Sequence, residues 1–168
     1  MIPIIGLMSG TSMDGINGTI VETDGINLKR TNISTILKYQ KQTKLILLDA
    51  IKNPYSFLKN QNLKSKLDDL IAIDHARIVK VLRKKYPNIP KYIGFHGQTI
   101  LHDPRNKLTL QLGNAKLLAN LTGIDVISDF RINDIYLGGE GAPLAPIYHL
   151  NIMKEIEIEL PSIIINIG

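Results

Sequence analysis

Short apolar runs separated by polar turn residues open the chain. Residues 2–8 are apolar except for Gly6 and are followed by four turn residues, 9–12, which predicts a buried strand. A second strand is predicted over residues 15–22. Asp24 and Gly25 then give a two-residue hairpin signal that leads to a third strand over residues 26–39. We therefore expect three antiparallel strands at the start of the fold.

Apolar residues at helical spacing follow these strands. Residues 43–51 predict a helix that ends before Asn53 and Pro54, and residues 65–86 predict a longer one. Ser65 and Asp68 have the spacing of a capping box at the start of that longer helix.

Strands and helices alternate in the second half of the chain. We predict strands over residues 92–95, 108–112, 125–128 and 162–167, and helices over residues 114–121 and 143–157, with Pro143 at the first helical position. A meander of strands followed by this alternation predicts an α/β fold, a mixed sheet with helices on its faces. The last predicted strand runs up to the final residue, Gly168, which is typical of a chain cut inside a domain.

Composition limits the class of protein. With 168 residues, 44% hydrophobic and 21% charged, the chain is expected to form one soluble folded domain. It contains no cysteine, so disulfides, thiolate zinc sites and a cysteine nucleophile are excluded, and a cytoplasmic location is expected. The sequence has neither a signal peptide nor an apolar run long enough to span a membrane, so we expect no membrane partner.

The net charge of +5 changes this picture little. Lysines and arginines are interleaved with acidic residues, and residues 83–85 form the one basic cluster, at a predicted helix end. Aromatic residues make up 5% of the chain and tryptophan is absent, which leaves few platforms on which bases could stack. We expect no nucleic-acid partner.

Three segments carry residues suited to chemistry, and the first is the turn over residues 6–15, GLMSGTSMDG. Its glycines let a backbone approach an anion, and the hydroxyls of Ser9, Thr11 and Ser12 can bind phosphate oxygens or a hydrated Mg²⁺. Asp14 could orient water on Mg²⁺, orient a nucleophile, or only cap the turn. A tight hairpin with solvated hydroxyls would show the same pattern.

The second segment, GFHGQT over residues 94–99, follows a predicted strand. Its His96 and Gln98 could bind sugar hydroxyls or a carboxylate, or His96 could satisfy backbone groups in a glycine turn. The third begins at residue 128 and contains Asp129 and Arg131, which could contact a ligand or pair with each other. It continues into the glycine-rich residues 138–143, which a ligand could approach or which could be a flexible connection.

Two further motifs are TLQLGN at residues 109–114 and NIG at residues 166–168. Together with the three segments above, they resemble in order and spacing the motifs of the anhydro-N-acetylmuramic acid kinases of bacterial cell-wall recycling. The resemblance implies one lobe of the two-lobed fold of actin, hexokinase and Hsp70, with ATP in the cleft between lobes. It also implies the reaction: ATP phosphorylates the sugar O6 while water opens the 1,6-anhydro ring, giving N-acetylmuramic acid 6-phosphate.

The resemblance also assigns roles to residues of this chain. Asp14 is the expected Mg²⁺ ligand, and the substrate side of the cleft is expected to include His96, Gln98, Asp129 and Arg131. The nucleotide phosphate loop is expected to comprise Gly10, Thr11, Ser12, Met13, Asp14, Gly15, Ile16 and Asn17.

The chain departs from the family at two positions and in length. Asn17 stands where the family usually has aspartate, which removes a charge that could help to hold Mg²⁺, and Asn133 stands where the family often has arginine. Family members are roughly twice as long, and their second lobe carries the expected catalytic base, so residues 1–168 correspond to the N-terminal lobe. Activity would require a second-lobe polypeptide. The alternative is a decayed, non-catalytic remnant of a kinase.

Overall fold

A mixed sheet of six strands forms the centre of residues 1–165, the part of the chain that the computed structural model describes. The strands are β1 (Ile2–Ser9), β2 (Ile16–Thr23), β3 (Leu28–Leu37), β4 (Tyr92–Asp103), β5 (Leu108–Leu112) and β6 (Asp125–Ile127). The helices are α1 (Lys41–Lys52), α2 (Pro54–Lys59), α3 (Gln61–Lys85), α4 (Ala115–Thr122), α5 (Ile132–Tyr136) and α6 (Pro146–Glu155).

The strand order explains which loops meet. The sheet runs β3-β2-β1-β4-β5, and β6 also pairs with β4. Strands β1, β4 and β6 are parallel to one another, whereas β2, β3 and β5 are antiparallel to their neighbours. Because β6 pairs with residues 92–94 of β4 and β5 with residues 98–103, both short strands lie along one side of a long strand.

The long helix α3 packs against β2 and β3 and closes the main core. Its fully buried Ile71, Ile78 and Leu82 belong to the same apolar cluster as Ile5 of β1 and Ile20 of β2. Burying each such side chain stabilises the fold by about 1.5–3 kcal/mol, so this contact fixes α3 on one face of the sheet. None of the helices in residues 1–165 is long and apolar enough to cross a membrane.

The opening of the fold agrees with the pattern of the sequence. The three expected antiparallel strands form, and the predicted hairpin joins β2 to β3. In that turn the Asp24 carboxylate accepts hydrogen bonds from the backbone N–H and the side-chain amide of Asn27 and from the backbone N–H of Ile26. These bonds hold the pKa of Asp24 down at about 2. Gly25 supplies the positive φ of 94°.

The predicted capping box is wrong. Helix α3 begins at Gln61, four residues earlier than expected, and the Asn60 side chain caps it by accepting from the Leu63 N–H. Ser65 therefore lies inside the helix. The Asp68 carboxylate instead accepts from the Gly113 N–H at 2.8 Å and pairs with Lys64 at 2.9 Å. Asp68 thus bonds to a residue 45 positions further along the chain and not to Ser65, the local partner that the sequence pattern indicated.

Other boundaries also differ from the expectation. Strand β4 continues to Asp103 because β5 extends its pairing beyond the parallel part, and two short helices, α2 and α5, were not predicted. The helix expected from Pro143 to residue 157 is α6, which begins at Pro146 and ends at Glu155. Pro143 lies before it, in a stretch without helical structure.

The predicted last strand does not form where the structure describes it. Residues 162–165 have no regular secondary structure, and Ile163 and Ile165 are 87% and 75% exposed. A strand needs a hydrogen-bonded neighbour, and no strand within residues 1–165 pairs with this segment. The rest of the prediction, together with the NIG motif, lies outside the described residues.

Candidate functional site

The ends of two parallel strands and the middle of a third bring the three candidate segments together. Strand β1 leads into the turn that starts at Gly10, and β6 leads into Asp129. Between them β4 carries His96 at the irregularity in its parallel pairing with β1. The carboxyl ends of parallel strands are where open α/β sheets bind ligands. The topology therefore supports a single site at this edge.

The first segment forms a tight turn. The Gly10 carbonyl accepts a hydrogen bond from the Met13 N–H at 3.1 Å, and Met13 adopts a positive φ of 55°. The side chains of Thr11, Ser12 and Asp14 are exposed, so two hydroxyls and one carboxylate project from this turn into solvent. The turn thus presents small polar groups on a fixed backbone.

Gly15 closes the turn for a reason that the sequence could not show. A Cβ atom at this position would lie 2.9 Å from Ile36 Cγ1 and 3.0 Å from the Leu37 carbonyl oxygen. Strand β3 therefore passes too closely for a side chain. Gly15 and Ile16 are buried, whereas Asn17, the last residue of the expected phosphate loop, is exposed.

Gln98 is fully buried directly behind this turn. Its Nε2 donates to the Gly10 carbonyl at 3.2 Å and to the Thr99 carbonyl at 3.3 Å, and its Oε1 accepts from the Tyr39 hydroxyl at 3.0 Å. The neighbouring Ser9 hydroxyl donates to the Gly97 carbonyl at 3.1 Å. The second segment is thus tied to the first through buried side chains.

His96 and Arg131 join the second segment to the third. The Arg131 Nε–H donates to Nε2 of His96 at 2.8 Å, so that nitrogen carries no proton. The proton of the neutral ring is then on Nδ1, which donates to the Gly97 carbonyl at 3.0 Å. Burial first, and then the positive charge of Arg131, lower the pKa of His96, and burial lowers the pKa of Arg131.

The glycine-rich part of the third segment is held from two sides. Arg131 Nη1 donates to the Gly141 carbonyl, and the Asp134 carboxylate accepts from the Gly141 N–H at 2.7 Å. Of the two alternatives for this stretch, a backbone that a ligand could approach or a flexible connection, the second does not describe Gly141, which is held in place. Asp129 is exposed, has a positive φ of 62° and accepts from the Ser128 hydroxyl at 3.2 Å; within residues 1–165 it forms no ion pair with Arg131.

Two cavities flank this edge. A groove of about 690 Å³ lies between strands β1 to β3 and two aromatic side chains, Phe130 and Tyr148, and Asn17 also lines it. A smaller cavity of about 430 Å³ has polar walls that include Asp68, Asn114 and Asp129. The expected substrate-side residue Asp129 thus lines a polar cavity, whereas the end of the expected phosphate loop borders the apolar groove.

The site contains no preformed cluster of metal ligands. Within residues 1–165, no three His, Asp or Glu side chains lie together in a way that could hold a metal ion. Asp14 is the one carboxylate on the exposed part of the turn. Because Mg²⁺ commonly binds through one or two carboxylates, several waters and the phosphates of a substrate, this donor set fits Mg²⁺ delivered with a nucleotide.

Sequence reasoning missed the groups that hold the site. Tyr39, 59 residues away from Gln98, carried no local pattern, and neither did the contact between Arg131 and His96 over 35 residues. Asp134 and Gly141 lie in a motif that was singled out, but their hydrogen bond depends on the short helix α5, which was not predicted.

Comparison with known proteins gives the same picture. The family model described as anhydro-N-acetylmuramic acid kinase matches residues 3–168. The chain belongs to this family. The predicted resemblance is therefore confirmed, and the α/β mixed sheet is consistent with one lobe of the expected two-lobed sugar kinase fold.

Several curated relatives carry the name anhydro-N-acetylmuramic acid kinase. The protein from Gluconobacter oxydans (strain 621H) is 36% identical over 169 residues, covering 100% of this chain and 46% of that protein. The one from Pelagibacter ubique (strain HTCC1062) is 37% identical and covers 98% and 44%, and the one from Acidiphilium cryptum (strain JF-5) is 38% identical with the same coverage. The chain spans less than half the length of these kinases.

Proposed function

We propose that this chain supplies the nucleotide phosphate-binding lobe of an ATP-dependent anhydro-N-acetylmuramic acid kinase. The observation that carries the proposal is the meeting of three family segments at one sheet edge: Gly10 is bonded to Gln98, and His96 is bonded to Arg131. Gly10 and Gln98 are 88 residues apart in the chain, and His96 and Arg131 are 35 residues apart, so the fold brings the three segments together from distant parts of the sequence. ATP and an amino sugar are the proposed ligands, in a cytoplasmic protein.

The turn over residues 10–15 fits a phosphate chain. Its Gly10 carbonyl is bonded inward, to Met13 and Gln98, so this acceptor is already occupied on the protein side. The exposed hydroxyls of Thr11 and Ser12 can donate to phosphate oxygens. These two donors suit an anion, and the Asp14 carboxylate on the same turn is proposed to face Mg²⁺ and not the phosphate itself.

Asp14 and Asn17 are the residues proposed to face Mg²⁺. A bound Mg²⁺ would neutralise charge on the phosphates, and Asp14 would contribute the one carboxylate on this loop. Asn17 offers a neutral amide oxygen, which should hold the ion more weakly than a carboxylate at the same position would.

The sugar is proposed to lie on the side of His96, Asp129 and Arg131. The exposed Asp129 carboxylate lines a polar cavity and can accept hydrogen bonds from sugar hydroxyl groups. A guanidinium such as that of Arg131 can bind a carboxylate such as that of muramic acid. Gln98 is fully buried, so we propose that it serves the site by holding the turn and not by touching the sugar.

The overall reaction needs more than these residues. Phosphoryl transfer to the sugar O6 with opening of the anhydro ring requires a base that activates water. We propose that this base belongs to a second lobe. Catalysis depends on nucleophile, base and phosphate groups held in one geometry. This chain alone is therefore proposed to bind ligand but to turn it over very slowly.

Calorimetric titration of the purified chain with Mg·ATP tests the nucleotide role. The double variant Thr11→Ala with Ser12→Ala should bind about tenfold more weakly, since it removes two hydroxyl donors of roughly 0.5–1.5 kcal/mol each. Ser56→Ala, at an exposed position of α2, is the matched control and should bind like the parent chain. Absence of binding by the parent chain, or equal binding by the double variant, would reject the phosphate-loop proposal and favour a decayed remnant.

A further inference from the structure

A buried polar network lies behind the turn that starts at Gly10. The Tyr39 hydroxyl donates to Gln98 Oε1, and Gln98 Nε2 donates to the Gly10 carbonyl. Beside them the Ser9 hydroxyl donates to the Gly97 carbonyl. Tyr39 is 6% exposed and Gln98 is 0% exposed, so water does not compete for these bonds.

The chemistry of the partners fixes how the Gln98 amide is oriented. A carbonyl oxygen such as that of Gly10 can only accept, so the NH₂ group of the amide must face it. The amide oxygen then faces Tyr39, whose hydroxyl must act as the donor. Burial raises the pKa of Tyr39, which keeps that hydroxyl protonated across the physiological range.

Tyr39 is itself held by the core. Its ring packs edge-on against the ring of His75, with centroids 6.1 Å apart, and His75 packs in the same way against Phe95 at 4.8 Å. The next residue, Gln40, donates its backbone N–H to the buried carboxylate of Asp74 at 3.1 Å. The hydroxyl of Tyr39 therefore has a fixed position relative to helix α3 and the sheet.

We propose that Tyr39 and Gln98 are positioning residues that hold the turn over residues 10–15 in the conformation that binds phosphate. This inference rests on the proposed function of the turn. Gly10 is the first residue of the turn, and its carbonyl accepts from both Gln98 and Met13, so the side-chain bond and the turn bond share one atom. A displaced Gly10 carbonyl changes the direction of Thr11 and Ser12 together.

Four variants separate positioning from general stability. Gln98→Met keeps the length of the side chain and removes all three hydrogen bonds of the amide, whereas Tyr39→Phe removes only the hydroxyl. Gln98→Glu keeps a donor to Gly10 while its carboxyl is protonated and loses it when the carboxyl ionises. Tyr86→Phe is the matched control, because its hydroxyl donates to Glu22 at 2.6 Å, at a position where β2 pairs with β3, away from the turn.

Hydrogen–deuterium exchange of the amides of residues 11–15 is the first readout, and Mg·ATP affinity is the second. Exchange in this segment should be about fivefold faster in Tyr39→Phe and faster still in Gln98→Met, but unchanged in Tyr86→Phe. Gln98→Glu should exchange like the parent chain at acidic pH and like Gln98→Met at alkaline pH. Residues 17–22 in β2 should not change in any of these variants.

The outcomes separate this inference from the proposed function. Equal exchange of residues 11–15 in the parent chain, Gln98→Met and Tyr39→Phe would overturn the positioning role, whatever the affinity for ATP. The same holds if the exchange rate of Gln98→Glu, divided by that of the parent chain at the same pH, does not change with pH. If exchange changes as expected but the parent chain does not bind Mg·ATP, the two residues hold the turn while the assigned ligand is wrong.

Discussion

The Nε–H of Arg131 donates to Nε2 of His96 over 2.8 Å, although the two residues are 35 positions apart in the chain. This one hydrogen bond sets the tautomer of the imidazole, because the ring must keep its proton on Nδ1. It also connects β4, which carries His96, to the loop that Arg131 and Asp134 hold at Gly141. Protonation of His96 would place a proton on Nε2, which could then no longer accept from Arg131. It would also bring the positive charge of the imidazolium next to that of the guanidinium.

Replacing Arg131 by methionine should raise the pKa of His96. The positive charge would no longer oppose protonation, but burial, the larger cause of the lowered value, would remain, so the pKa should stay below its ordinary 6.5. An NMR titration of the His96 ring carbons measures this directly. Arg30→Met removes an arginine that pairs with Glu155 instead and should leave His96 unchanged. An unaltered His96 titration in Arg131→Met would contradict the observed contact.

Gly97→Ala should destabilise the fold more than Gly123→Ala. Both glycines have positive φ, 72° and 68°, so both substitutions carry a backbone cost of about 1–2 kcal/mol. At Gly97 the new Cβ would also lie 2.6 Å from the Leu112 carbonyl oxygen, whereas at Gly123 nothing lies within 4 Å. Urea unfolding should show an additional loss of roughly 1–3 kcal/mol at Gly97. If both variants lost the same free energy of unfolding, β4 and β5 would have to move apart at Gly97 without cost, contrary to this prediction.

Stability should fall as the pH is lowered through the titration of His75. Burial lowers the pKa of this histidine from 6.5 to about 4, so the unfolded chain binds a proton between these values and the folded chain does not. The contribution of the neutral His75 to the free energy of unfolding is complete above pH 6.5 and is lost as the pH approaches 4. Between pH 7 and pH 5 the loss amounts to about 2 kcal/mol.

Urea midpoints at pH 7 and pH 5 measure this loss, and His75→Leu is the comparison. The variant lacks the titrating ring at a fully buried position, so its stability should decrease less over the same interval. If the parent chain and His75→Leu show the same decrease, other groups account for the acid sensitivity.

Asn17→Asp should increase the dependence of nucleotide binding on Mg²⁺. A carboxylate at this position adds one charge at a residue proposed to face the ion, which is worth about 1 kcal/mol at a solvated position and so about fivefold in affinity. The measurement is the ratio of ATP affinities with and without Mg²⁺. Asn120→Asp, at an exposed position of α4, adds the same charge elsewhere and should not alter the ratio. An equal ratio in both variants would place Mg²⁺ away from Asn17.

Patterns within about ten residues accounted for much of this fold. Alternating and continuous apolar runs predicted β1, β2 and β5, and the Asp24–Gly25 signal predicted the turn between β2 and β3, because each depends on neighbours in sequence. The capping box at Ser65 failed because Asp68 bonds to Gly113, 45 residues on. Local propensity could not include that partner.

The candidate site shows the same division. The turn from Gly10, the histidine of β4 and the arginine after β6 were found as motifs because glycines and polar residues interrupt apolar runs. Their arrangement was not predictable from those motifs. Gln98 was expected to face a ligand and is fully buried against Gly10, with Tyr39 as its second partner, because the pairing register of β1 and β4 places it behind the turn.

The most direct test of the account is a coupled ADP-release assay with 1,6-anhydro-N-acetylmuramic acid and Mg·ATP, run on this chain alone and with the C-terminal half of a relative added in trans. We predict negligible turnover by the chain alone and clear turnover in the mixture, which Thr11→Ala with Ser12→Ala should reduce about tenfold at subsaturating Mg·ATP. Turnover by this chain alone at the rate of the mixture, or no turnover in a mixture shown to associate, would contradict it.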